Sequence, residues 1–332
     1  MQTVYHKMII TARPESAVFA MAELQKYDAS IRPLKDLDAG VKLVTVPQGH
    51  GSFFTDAPRL MFVRHIFPVL IEGSVQEITP VKLAESLPLQ DMVGAFSVQK
   101  RGEVAFAFIQ SLEALLCEKG FTQNDKSPAW VVSLFSHENI LYAGVSDVKQ
   151  NRSAWNGGAR RYKKENVISR AEFKLMEAFE IFNLSPAENT RALDLGAAPG
   201  GWSKVLLDRG FYVTAVDPGA LDARLAHPQL TYVNATAQRF FAAYKGAPFH
   251  FIVNDMKMDM YESIRIMLDA AHLLTPGGTA IMTLKLAKGQ GLSKINKALA
   301  LLEKKYRVAD TRQLFHNRDE VTVVVGSLPP TL

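Results

Sequence analysis

Three residues far apart in the chain, Asp255, Lys285 and Glu320, carry groups that can hold or move a proton. Asp255 follows the apolar run His250–Asn254, Lys285 lies at the end of Thr279–Leu286, and Glu320 precedes Val321–Val325. If the first two runs are parallel strands and the third runs against them, all three side chains reach the carboxyl edge of one sheet. Ligands of doubly wound α/β folds bind at that edge.

A second constellation lies upstream. Leu193-Asp194-Leu195-Gly196-Ala197-Ala198-Pro199-Gly200-Gly201-Trp202 reads as a hydrophobic strand, a glycine-rich turn and the start of a helix. Such a turn lets backbone approach a ligand, and the free N–H groups of the helix start attract polar or anionic atoms. About twenty residues on, Val213-Thr214-Ala215-Val216-Asp217 ends a strand in a carboxylate, the position that accepts hydrogen bonds from a ribose diol. The pairing predicts a nucleoside cofactor. Spacing from Gly196 through Ala198 to Gly201 also leaves a dinucleotide site formally open.

The elements that must position these groups fall into two regimes. From Arg191 onward the pattern alternates strand and helix, which builds a doubly wound parallel sheet. Its last two runs, Arg307–Gln313 and Val321–Val325, are joined by so short a turn that they must be antiparallel. Before residue 148 the order of strands and helices predicts two small α+β units, with a hairpin turning at Asn139. Between the regimes, residues 149–170 have few aliphatics, a Gly-Gly pair and no regular period, and read as a linker or binding loop.

The chain has 332 residues with 48% apolar and 21% charged side chains, an ordinary globular composition long enough for two or three domains. No run approaches the ~20 apolar residues of a membrane span, and the first residues lack a signal-peptide pattern. One cysteine, Cys117, permits neither an internal disulfide nor a multi-cysteine metal site, so a cytoplasmic location is expected. The net charge is +5, and residues 149–170 alone carry seven basic and one acidic side chain. The basic residues of this segment are Lys149, Arg152, Arg160, Arg161, Lys163, Lys164 and Arg170.

The glycine-rich string resembles the S-adenosylmethionine loop of FtsJ-like RNA ribose 2′-O-methyltransferases. The likeness extends to Ser169-Arg170-Ala171-Glu172-Phe173-Lys174-Leu175, Val253-Asn254-Asp255-Met256, Thr283-Leu284-Lys285-Leu286 and Arg318-Asp319-Glu320-Val321-Thr322-Val323. Within the family, Leu141-Tyr142-Ala143-Gly144 and Arg312-Gln313-Leu314-Phe315-His316 resemble the group that methylates a cytidine ribose of 23S rRNA.

The resemblance implies a Rossmann-like class I methyltransferase domain over residues 169–332, with a mostly parallel sheet and an antiparallel last strand. Before it would come a ferredoxin-like unit (1–75), a THUMP-like RNA-binding unit (76–148) and a basic linker (149–168), and beside a ribose-methylating site the basic residues of 149–170 are expected to meet RNA phosphates. It also implies a catalytic set of Lys174, Asp255, Lys285 and Glu320. S-adenosylmethionine would be held by Asp194, Gly196, Ala198, Pro199, Gly200, Gly201, Trp202, Asp217 and Asp255. The sulfonium is already activated, so no metal is required.

Lys285 is expected to act as general base, with burial and the second ammonium of Lys174 lowering its pKa and Asp255 and Glu320 limiting the fall. The carboxylate that relatives place against the adenine has no counterpart in Tyr232-Val233-Asn234-Ala235-Thr236-Ala237, where Asn234 or Thr236 could offer a neutral hydrogen bond. His316 is expected to pack at the rim of the site, Cys117 to be a buried small hydrophobe, and Phe53-Phe54 and Phe106/Phe108 to be core. Alternatives on the same fold are an RNA-binding or ribosome-assembly factor without turnover, and an enzyme acting on tRNA.

Overall fold

A computed structural model describes residues 5–47, 60–163, 165–185, 187, 190–286 and 291–328. Phe53, Phe54 and Lys164 lie outside the described residues. The chain divides into two compact units, Met1–Arg160 and Arg161–Leu332.

In the first unit, β1 (Tyr5–Thr11), α1 (Ala17–Tyr27), β2 (Arg32–Asp38), β3 (Val41–Pro47) and β4 (His65–Pro68) form an antiparallel sheet of order β2-β3-β1-β4 with its helix. β5 (Ile71–Ser74), α2 (Pro80–Ser86), β6 (Ala95–Arg101), α3 (Phe106–Glu118), β7 (Thr122–Gln123), β8 (Trp130–His137) and β9 (Ile140–Asp147) form the second sheet, of order β5-β9-β8-β6-β7. The β8–β9 hairpin turns through Glu138 and Asn139, both left-handed (φ 50° and 64°), as a two-residue loop matched to strand twist requires. Ile9, Leu43 and Phe67 of one sheet share a core with Phe135 and Tyr142 of the other.

The second sheet starts at Ile71, so the expected border at 75/76 falls inside it. Nor do residues 149–160 form a free linker. Val148–Asn151 is a helical turn, α4, and Asn151 is fully buried, donating to Ser133 Oγ and Ser146 Oγ at 3.1 Å each. Polar side chains plug a polar gap here, which aliphatic periodicity does not reveal. Two apolar expectations also fail. Cys117 is exposed, and Phe106 at the start of α3 is 67% exposed, because α3 turns Ile109, Leu112 and Leu116 inward instead.

The second unit runs α5 (Glu172–Ile181), β10 (Arg191–Leu195), α6 (Gly201–Leu207), β11 (Tyr212–Val216), β12 (Leu230–Val233), α7 (Ala237–Ala243), β13 (Phe249–Asn254), α8 (Met260–Ala270), β14 (Leu274–Lys285), α9 (Leu292–Leu302), β15 (Tyr306–Arg312) and β16 (Glu320–Ser327). Its seven strands lie in the order β12-β11-β10-β13-β14-β16-β15. β12 through β14 are parallel, and β16 inserts antiparallel between β14 and β15.

The central strands read as unbroken apolar runs because helices cover both faces. α8 shows the matching helical pattern, burying Met260, Ser263, Ile264, Met267 and Ala270, with Asp259 capping its start by accepting from Tyr261 N. A stack of Phe179, Phe211 and Phe251 ties α5 to the sheet, each fully buried ring contributing about 1.5–3 kcal/mol. No helix among the described residues is long and apolar enough to cross a membrane.

Candidate active site

β10 delivers the glycine-rich turn. Gly196 (φ 72°) and Gly200 (φ 112°) occupy backbone that side chains rarely adopt, and a Cβ would lie 2.1 Å from Met256 Cγ at the first and 1.9 Å from Leu225 Cδ1 at the second. The turn is thus closed underneath by packing while Gly196, Ala198 and Pro199 remain accessible. Asp217 stands just past β11. Its two oxygens accept from Ala198 N (3.1 Å) and Gly219 N (2.6 Å), which fixes the carboxylate beside the turn. A carboxylate has about four acceptor positions, so capacity for a ribose diol remains.

Two expected cofactor residues are turned into the fold. Asp194 is 1% exposed and accepts from Ser203 Oγ at 2.6 Å, pinning α6 to β10; burial pushes its carboxyl up to about 7. Trp202 is also buried, and its Nε1 donates to Ala171 O at 2.8 Å, bracing the start of α5. Thr236 caps α7 by accepting from Arg239 N, and Asn234 Nδ2 donates to Tyr232 Oη at 3.1 Å.

Asp255, Lys285 and Glu320 meet at the carboxyl edge, as their strand ends require, and Lys174 reaches them from α5. Lys285 and Glu320 are directly opposed across the antiparallel β14–β16 ladder. Lys285 Nζ lies 2.7 Å from Asp255 Oδ1 and 2.5 Å from Glu320 Oε2. Lys174 Nζ lies 3.1 Å from Asp255 Oδ2 and 2.6 Å from Glu320 Oε1. Two ammonium groups and two carboxylates alternate in a ring whose side chains are between 7% and 24% exposed. Asn254 steadies the turn carrying Asp255, accepting from Met256 N and donating to Ser263 Oγ.

The electrostatics correct one expectation. Burial pulls the Lys285 ammonium down, but Asp255 and then Glu320 more than offset it, so its pKa is raised above the ordinary lysine range. Two carboxylates in direct contact outweigh the burial. Burial likewise pushes Glu320 up, and Lys285 and Lys174 overcome it, leaving its carboxyl below the usual range.

Sequence reasoning also missed Thr283, which donates to Asp255 Oδ1 at 2.6 Å, and Glu177, which holds the turn before Glu320. The only signal for Glu177 was its place three residues beyond Lys174 on one helix. His316 packs where expected, against Tyr162 and Phe173, with Nδ1 2.8 Å from Glu177 Oε2.

Of the basic residues, Lys149, Arg161, Lys163 and Arg170 are exposed. Arg152 is spent differently. Its guanidinium donates to Val63 O and Leu60 O, which makes it a brace of the first unit. Arg160 lies over the Trp155 ring.

The sequence profile of the FtsJ-like methyltransferases matches residues 167–321. A protein of Hahella chejuensis named ribosomal RNA large subunit methyltransferase M is 30% identical over 304 residues, covering 81% of this chain and 75% of its own length. Relatives of the same name from Laribacter hongkongensis and Halorhodospira halophila are 33% and 31% identical, with 67% and 62% of their lengths covered. The glycine-rich turn, the Lys-Asp-Lys-Glu ring and these similarities agree, and the chain belongs to the FtsJ-like methyltransferase family.

Proposed function

We propose that the protein transfers a methyl group from S-adenosylmethionine to a ribose 2′-hydroxyl of RNA, with a cytidine of 23S rRNA in the cytoplasm as substrate. The observation that carries this reading is the placement of Lys285 Nζ between Asp255 and Glu320 at the edge of a nucleoside-type turn. The donor set suits the cofactor: Gly196, Ala198 and Pro199 are accessible for backbone contact, and Asp217 offers acceptors to a ribose. When bound, S-adenosylmethionine supplies a methyl on a sulfonium and a positive charge that opposes a second one on Lys285.

Lys285 then serves as the base. Its free amine takes the proton of the 2′-hydroxyl as that oxygen displaces the methyl carbon from sulfur, which leaves as a neutral thioether, and Asp255 and Glu320 receive the resulting ammonium. Lys174 neutralises the outer oxygens of both carboxylates and keeps the ring closed. Asp194 and Trp202 act through the scaffold by holding α6 and α5.

The first unit, read as ferredoxin-like and THUMP-like parts, presents the RNA. Exposed Lys149, Arg161, Lys163 and Arg170 contact its phosphates. The identity of the relatives supports rRNA over tRNA. The test is Lys285→Ala: methyl incorporation into rRNA is abolished while S-adenosylmethionine still binds by calorimetry. Full incorporation by that variant overturns the assignment.

A further inference from the structure

We propose that Thr283 is a positioning residue for the base: by donating a hydrogen bond to Asp255, its hydroxyl weakens that carboxylate's hold on Lys285 and so sets how readily Lys285 gives up its proton. The inference rests on the reading of Lys285 as base. Thr283 lies two residues before Lys285 on β14, hence on the same face of the strand. It is 1% exposed, and its Oγ1 is 2.6 Å from Asp255 Oδ1, the oxygen that Lys285 approaches at 2.7 Å. An ionised carboxylate only accepts, so the hydroxyl is the donor. Lys174 reaches the same oxygen at 3.3 Å, giving Oδ1 three donors, of which Thr283 is the neutral one.

A neutral donor withdraws electron density from the carboxylate without adding charge. Less negative charge then faces the Lys285 ammonium, whose charged neighbours are Asp255, Glu320 and, across them, Lys174. Directly opposite on β16, Thr322 Oγ1 donates to Asn317 Oδ1 at 3.0 Å, so that buried hydroxyl is spent outside the ring. A threonine hydroxyl facing Asp255 is therefore a built feature and not a consequence of general polarity in the strand.

The test is single-turnover methylation of rRNA across pH with Thr283→Val and Thr283→Ser. In Thr283→Val, Asp255 holds the ammonium more tightly, and the ascending limb of the pH–rate profile moves up by about half to one unit. The rate near pH 7.5 falls roughly three- to tenfold and recovers as pH rises, while cofactor affinity stays within about twofold. Thr283→Ser restores the original profile. An unshifted limb in Thr283→Val, or a fall in rate independent of pH with weakened cofactor binding, overturns the proposal and leaves the base assignment standing. If Thr283→Val loses its folded melt, Thr283→Cys, similar in size with a weaker donor, is read by the same criteria. Retained activity in Lys285→Ala instead overturns the reading beneath it.

Discussion

Glu177 and His316 are joined twice: Glu177 Oε2 accepts from the backbone N–H of His316 at 3.0 Å and from its ring Nδ1 at 2.8 Å. Glu177 Oε1 adds Phe315 N at 2.8 Å. One buried carboxylate thereby ties α5, which carries Lys174, to the turn that leads into Glu320. The spacing of two tetrad members is set by a residue that touches neither.

Replacing Glu177 with alanine leaves two part-buried backbone donors without their acceptor. The expected cost is about 2–4 kcal/mol, a fall in melting temperature of roughly 5–10 °C for a unit of this size. Calorimetric melting checks the stability, and single-turnover methylation should slow more than RNA binding weakens. An unchanged melt would show that the clamp contributes nothing.

The ring itself predicts a stability plateau. Glu320 has a lowered folded pKa, so its contribution is complete above its ordinary value of 4.5 and is lost as pH falls through the lower folded value. Lys285 has a raised one, so its contribution is complete below 10.5 and is lost as pH climbs through the higher folded value. Urea denaturation of the wild type should weaken at both ends of this window. Glu320→Gln should flatten the acid side.

His65, in the first unit, titrates in the opposite sense to a paired histidine. Burial, aided by Arg101, pushes its pKa down to about 3, so the folded unit holds it neutral while the unfolded chain protonates near 6.5. Stability should therefore fall as pH drops below 6.5, by about 1.4 kcal/mol per unit. Between pH 7 and 4.5 the wild type should lose about 2–3 kcal/mol more than His65→Phe. Equal losses in the two proteins would refute this.

Gly200→Ala places a methyl on a backbone at φ 112° and against Leu225. The turn must shift, and cofactor affinity should drop at least tenfold by calorimetry, with strain alone worth about 1–3 kcal/mol.

Neutralising Arg161, Lys163 and Arg170 together should weaken RNA binding uniformly across sequences. The slope of log affinity against log salt should become shallower by about 0.7–0.9 for each phosphate that no longer meets a cation. The same changes to Arg152 should instead lower the stability of the first unit, because its guanidinium holds Leu60 O and Val63 O.

Asp255, Lys285 and Glu320 were legible because each ends or begins an apolar run, and strand direction alone sends them to one edge. The alternation of strand and helix from Arg191 onward was legible because central parallel strands such as β10 and β13 are continuous hydrophobic blocks bounded by turns. What escaped were polar residues working inward. Thr283 and Glu177 look like ordinary strand and helix residues, and only three-dimensional contact shows what they hold. Asn151 and Arg152 misled in the same way, since a polar stretch without period resembles a loop even when one side chain is buried between serine hydroxyls and the next reaches backbone carbonyls. The direction of the Lys285 shift was misjudged because it depends on contacts of 2.5–2.7 Å that no spacing encodes.

The insertion of β16 between β14 and β15 also fixes when the ring of charges can close. A chain is made from its amino end, and Lys174, Asp255 and Lys285 all emerge before Glu320. Until β16 is synthesised, β14 has an unpaired edge and Lys285 faces one carboxylate in place of two. The Lys-Asp-Lys-Glu ring is therefore closed only by the last strand of the chain to be made, and a chain broken off before residue 320 would lack its second carboxylate.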